Sequence, residues 1–146
     1  MKKPALKKLL LAALILCPLC VAFAATKCNN KIGPQHQTFV NDQAVLGTWQ
    51  TVDFVDKIKD FKPGKRSWRG ALYLQKMVFK ADGAMSVYSQ DVPNGDTPWF
   101  SWTKGFVLHN GGDQSADKYV IKNGYMFYEW PDGMTCKMSY YVLKKI

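Results

Sequence analysis

The chain is poor in the side chains from which most enzymes build a site. Glu129 is its single glutamate, and His36 and His109 are its two histidines. Its carboxylates otherwise fall mostly beside turn signals, as in Asp82, Asp96, Asp113 and Asp132. There is no Gly-x-Ser-x-Gly elbow, no His-x-x-His pair and no paired-carboxylate motif. These absences argue against a catalytic role, and they predict no cofactor and no metal. The chain also lacks internal repeats and any convincing helical period beyond its first segment.

That first segment carries an address. Lys2, Lys3, Lys7 and Lys8 precede an apolar run from Leu9 to Ala24 that only Pro18 interrupts. As a helix the run would rise about 24 Å, short of a hydrocarbon core of roughly 30 Å. Ala22-Phe23-Ala24 offers the small-x-small pattern of a signal peptidase site, so residues 1–24 are expected to be a removable signal peptide. Cys17 and Cys20 follow Leu16 and Leu19, not the small residue that lipidation needs. Cleavage after Ala24 takes away four lysines and no acid, and the net charge falls from +9 to +5. The expected product is a periplasmic or secreted domain with no transmembrane segment.

Two cysteines then remain, Cys28 and Cys136. In an exported chain such a pair is most simply a disulfide. Free thiols or a metal site are the alternatives, but no zinc spacing accompanies them. A bridge would tie a 25–44 extension to the end of the chain, with about 4–5 kcal/mol from loop entropy.

Residues 45–146 read as one all-β domain. Strand-forming runs cover 45–55, 71–80, 84–90, 99–108, 118–122, 125–130 and 135–144. Asp82-Gly83, Asn123-Gly124 and Asp132-Gly133 are hairpin signals between them. The order predicts a small antiparallel up-and-down barrel of about seven to eight strands. Several runs are apolar on both alternations, as a barrel or a doubly covered sheet requires.

Leu46-Gly47-Thr48-Trp49 resembles the Gly-x-Trp signature of lipocalin-like barrels. In that family the signature opens the first strand and its Trp closes one end, which gives Gly47 and Trp49 structural roles. A longer likeness, through Leu72–Phe79, Trp102–Gly105, Lys118–Ile121 and Tyr125–Trp130, is to a poorly characterised bacterial exported module. That module also occurs at the C-terminus of some antibiotic-sensor metallopeptidase-like proteins. The resemblance implies a lipocalin-like fold and no transferable chemistry. True lipocalins place an Arg across the signature Trp near the last strand. Here the arginines are Arg66 and Arg69, and the last strand offers Lys144 and Lys145.

Two sites suggest themselves. Glu129 lies between Tyr128 and Trp130 in an apolar strand. Inside a barrel it would be a polar anchor, with Lys104 as the other, for a small, largely apolar or amphipathic ligand among Trp102, Tyr128 and Trp130. Pairing with a lysine such as Lys104, or outward exposure, is the plainer reading. The 56–70 connection carries six basic residues against two acidic ones. Through Lys65, Arg66, Trp68 and Arg69 it would meet an envelope protein or an anionic surface, as a sensor or inhibitor module would. A solvated lid is its plainer reading, and export removes nucleic acid as a partner.

Overall fold

The computed structural model describes residues 37–111 and 114–146. The expected signal peptide, Cys28, and hence its pairing with Cys136, lie outside them. No helix among the described residues is long and apolar enough to cross a membrane.

Among the described residues, eight antiparallel strands form one nearly closed sheet: β1 (Gly47–Val55), β2 (Leu74–Phe79), β3 (Met85–Ser89), β4 (Phe100–Thr103), β5 (Phe106–His109), β6 (Ser115–Lys122), β7 (Tyr125–Pro131) and β8 (Met138–Lys145). Their spatial order is β3-β2-β1-β8-β7-β6-β5-β4, so each strand follows its neighbour except where β8 returns to β1. The expected all-β up-and-down barrel is therefore present, in a form compatible with a lipocalin-like fold. The run 99–108, expected as one strand, is two. Lys104 and Gly105 turn it back on itself, with Gly105 at φ 82°, so that Thr103 pairs with Phe106. A turn precedes β1, closed by Val45 N–H donating to Asp42 O at 3.0 Å.

The seam between β3 and β4 is stitched more loosely. Ala84 bridges Ser101, and Trp102 N–H donates to Gly83 O at 2.9 Å. Further along β3, the Thr97 hydroxyl accepts from Val87 N–H at 2.9 Å. A side chain thus satisfies an edge donor that a ladder partner would otherwise take.

The interior holds Trp49, Met77, Phe79, Trp102, Tyr119, Met126, Tyr128 and Leu143. Its lower end is closed by the segment before β1. Phe39 packs edge-on to Trp102 at 5.4 Å, and Val40 N–H donates to the Thr103 hydroxyl at 2.8 Å. Trp49 is buried there and its indole N–H donates to Val45 O at 2.7 Å. Lys145 Nζ stands 5.7 Å from the centre of the Trp49 ring. A lysine of the last strand thus occupies the neighbourhood where lipocalins place their arginine, and a cation over an indole is favourable.

A bulge in β1 reshapes the outside. Thr51 pairs with Leu143 but Asp53 pairs with Val142, so Val52 is an extra residue. Unbroken alternation from Trp49 would turn Asp53 and Val55 inward. The bulge turns them outward, and Val55 packs with Phe127 and Val142 in a second apolar cluster. The 56–73 connection covers that cluster. Its single 3-10 turn, Ile58–Asp60, leads into Phe61, whose ring lies 4.8 Å from Tyr125 and 5.7 Å from Phe127.

Asp53 fixes the other end of this connection. Its carboxylate is 1% exposed and accepts from the N–H groups of Phe54, Ser67 and Trp68, each at 2.9 Å. Burial alone would raise its pKa. The backbone donors of Trp68, Ser67 and Phe54 together outweigh burial and hold it below the usual value. The connection is solvent-exposed from 62 to 70, as a solvated lid would be, but it is anchored as a strap, by rings at one end and by a carboxylate at the other.

Candidate functional site

The upper end of the barrel differs in kind from the lower. Of the five tryptophans, Trp49 and Trp102 are buried in the lower part of the interior, whereas Trp68, Trp99 and Trp130 reach solvent. All three belong to the upper end. Trp68 lies in the strap beside the top of β1, Trp99 precedes β4, and Trp130 ends β7.

Rings run along one side of this rim without a break. Trp68 meets Phe54 at 5.5 Å, Phe54 meets Tyr141 at 4.7 Å, and Tyr141 meets Trp130 at 5.2 Å. Trp130 then reaches Tyr73 at 6.0 Å, spanning from β7 to the start of β2. Tyr73 is held in turn by its hydroxyl donating to Asp91 at 2.8 Å. On the other side Phe100 packs against His109 at 4.5 Å, with Trp99 6.3 Å from Phe100. Edge-on and tilted pairs of this kind contribute about 0.5–1.5 kcal/mol each beyond their area.

Polar groups gather beneath the rings. The Tyr128 hydroxyl donates to Asp117 Oδ2 at 3.0 Å, and His109 Nε2 stands 2.8 Å from the same oxygen. The imidazole contact lacks the alignment of a hydrogen bond, so its attraction is ionic when the ring is protonated. Alternation explains the cluster. Asp117 shares a face with the core residue Tyr119, and His109 shares one with the core residue Val107. Burial first, and then the Asp117 carboxylate, push the Tyr128 phenol well above its ordinary pKa. The arrangement presents a carboxylate and an imidazole to anything seated among the rim aromatics.

The residues expected to form one ligand site are not brought together. Trp102 and Tyr128 are 1% exposed and fill the core. Lys104 is exposed in the β4–β5 turn at the lower end, where its N–H donates to Val40 O. Glu129 shares the outer face with Tyr125 and Phe127, because Met126, Tyr128 and Trp130 take the inner one. Its carboxyl is pushed up by burial, against an opposing pull from Lys118, not Lys104. Trp130 alone of the five keeps its place at an accessible site. In the strap, Trp68 belongs to the rim, Lys65 and Arg66 face the outer wall, and Arg69 is exposed. Asp53, His109, Asp117, Phe54 and Tyr73 are functional candidates that the sequence did not single out. Extending the Tyr119 alternation back to Asp117 is the one signal that would have pointed there.

Comparison with protein-family models, with curated proteins and with solved structures gave no match.

Proposed function

We propose that the chain is an exported binding barrel. It holds a small, flat, largely apolar ligand at its upper rim, not deep in its interior. The observation that carries this reading is the gathering of Trp68, Trp99 and Trp130 at one end while the lower interior is filled by side chains. Indoles left half in water add little to the stability of the fold, and accessible aromatic groups clustered at one end of a barrel suit a ring-bearing ligand. The Asp117–His109 pair below supplies a polar end for a hydrogen-bonding substituent. Export rests on the N-terminal segment, and a Cys28–Cys136 disulfide belongs to the same proposal. No chemical step is assigned to the site.

The test is fluorescence titration with N-phenyl-1-naphthylamine, a neutral aromatic probe. Binding should quench tryptophan emission. Trp130→Ala should weaken it about tenfold, the equivalent of about 1.4 kcal/mol of ring contact. Unchanged affinity in Trp130→Ala and in Tyr73→Ala would remove the rim as the site.

A further inference from the structure

The strap borders a concavity that the rim does not use. It lies outside the barrel, over the β1–β8–β7 wall, with a volume of about 250 Å³. Val52, Phe61 and Tyr125 give it an apolar floor with two rings. Lys65, Arg66 and Lys144 stand around it, and no carboxylate among the described residues lines it. The nearest acids in the strap are accounted for or displaced. Asp56 is paired with Lys137 at 2.6 Å, and Asp60 sits on the 3-10 turn outside the lining.

The fold sets where the three cations leave the backbone. Lys65 N–H donates to Lys62 O at 3.0 Å, closing a tight turn through Pro63 and Gly64. Gly64 supplies the positive φ of 79° that this turn needs, and nothing lies within 4 Å of where a side chain would begin. Arg66 donates from one terminal nitrogen to Gly70 O at 2.9 Å, which orients its guanidinium and leaves other donors for a ligand. Lys144 comes from β8, beside Gln50 of β1. Two chain segments far apart in sequence therefore bring three positive charges to the edge of one apolar hollow.

We propose that this cleft binds a small amphiphilic anion, a single or fused ring carrying a sulfonate, carboxylate or phosphate. The body would rest on Phe61 and Tyr125, and the anionic group would face Lys65, Arg66 and Lys144. The volume is below the usual range of drug-sized pockets, which restricts the ligand to fragment size. A planar cation that can grip two oxygens at once favours an oxyanion over a halide. The site is separate from the rim and does not depend on it.

The experiment uses the whole protein and two probes of similar shape. One is 1-anilinonaphthalene-8-sulfonate, which is anionic; the other is its neutral counterpart N-phenyl-1-naphthylamine. The triple variant Lys65→Gln, Arg66→Gln, Lys144→Gln should weaken the sulfonate about tenfold, the sum of three partly screened charges. It should leave the neutral probe unaffected. In the unaltered protein, raising salt toward 1 M, where the screening length falls to about 3 Å, should weaken the sulfonate alone. Amide NMR shifts on adding the sulfonate should centre on Val52, Phe61, Gly64 and Tyr125. Sulfonate binding within twofold of the parent in the triple variant, no response to salt, or shifts centred on Trp130 and Tyr73 would each overturn the proposal. Loss of neutral-probe binding in Trp130→Ala reports on the rim and leaves this inference standing.

Discussion

Replacing Asp53 by Asn should release the strap without disturbing the barrel interior. The native carboxylate accepts from three N–H groups, and Ser67 N–H reaches both of its oxygens at 2.9 Å. Asparagine keeps one acceptor oxygen, turns the other into a donor that opposes Ser67 N–H, and removes the charge. A hydrogen bond to a charged group is worth about 1.5–3 kcal/mol against about 0.5–1.5 for a neutral one. Three bonds each losing about 1 kcal/mol predict a destabilisation of about 3 kcal/mol, read from urea unfolding. Because the lost bonds hold 67–68 to the wall, trypsin should cut after Lys65, Arg66 and Arg69 faster in Asp53→Asn than in the parent. The pH dependence carries a sign of its own. The folded pKa of Asp53 lies below the ordinary value of 3.8, so its stabilisation is complete above that pH. It is lost as pH falls through the lowered folded value, and Asp53→Asn should flatten that acid limb. A variant within 0.5 kcal/mol of the parent, with the same tryptic pattern, would refute the idea that this carboxylate anchors the strap.

Two further measurements probe packing and burial. Gly95 is buried at φ +69°, and a methyl group there would lie 2.4 Å from the Tyr88 ring, so Gly95→Ala should cost about 2–4 kcal/mol in urea unfolding. Gly64→Ala faces open space and should cost only the backbone strain of about 1–2 kcal/mol; equal losses at the two sites would contradict the packing described. Burial pushes Tyr119 up to about 12, and Tyr128 is also raised, so both should resist ionisation in a titration followed at 295 nm. Stability from these phenols is complete below the unfolded value of about 10 and is lost as pH rises toward the folded ones. A titration in which every tyrosine ionises near 10 with the fold intact would disprove their burial.

How much of this was legible in the sequence depended on whether alternation ran unbroken. Where it did, from Met126 through Trp130, the two faces could be assigned residue by residue, and Glu129 falls on the outer one. Its apolar neighbours suggested an interior position only because the strap also makes the outer wall apolar, with Tyr125 and Phe127 beneath Phe61. Where alternation broke, at the Val52 bulge, one extra residue moved Asp53 to the opposite face, and nothing in its local sequence marks that shift. Gly105 was misread for a related reason. Strand formers flank it on both sides, so a two-residue turn looked like the middle of one long strand. The His109–Asp117 contact joins neighbouring strands across a loop, so alternation could turn Asp117 inward but could not pair it with His109.

The return of β8 to β1 also sets an order in time. The first strand made is a neighbour of the last, through pairs such as Gln50 with Lys144 and Val55 with Tyr140. While the chain is being synthesised, β1 can find β2 but not its other partner. Its bulge, the outward turn of Asp53 and the seat for the strap all lie on the side that β8 completes. The wall therefore waits for nearly the whole domain to emerge, and contacts of such long sequence separation are slow to form.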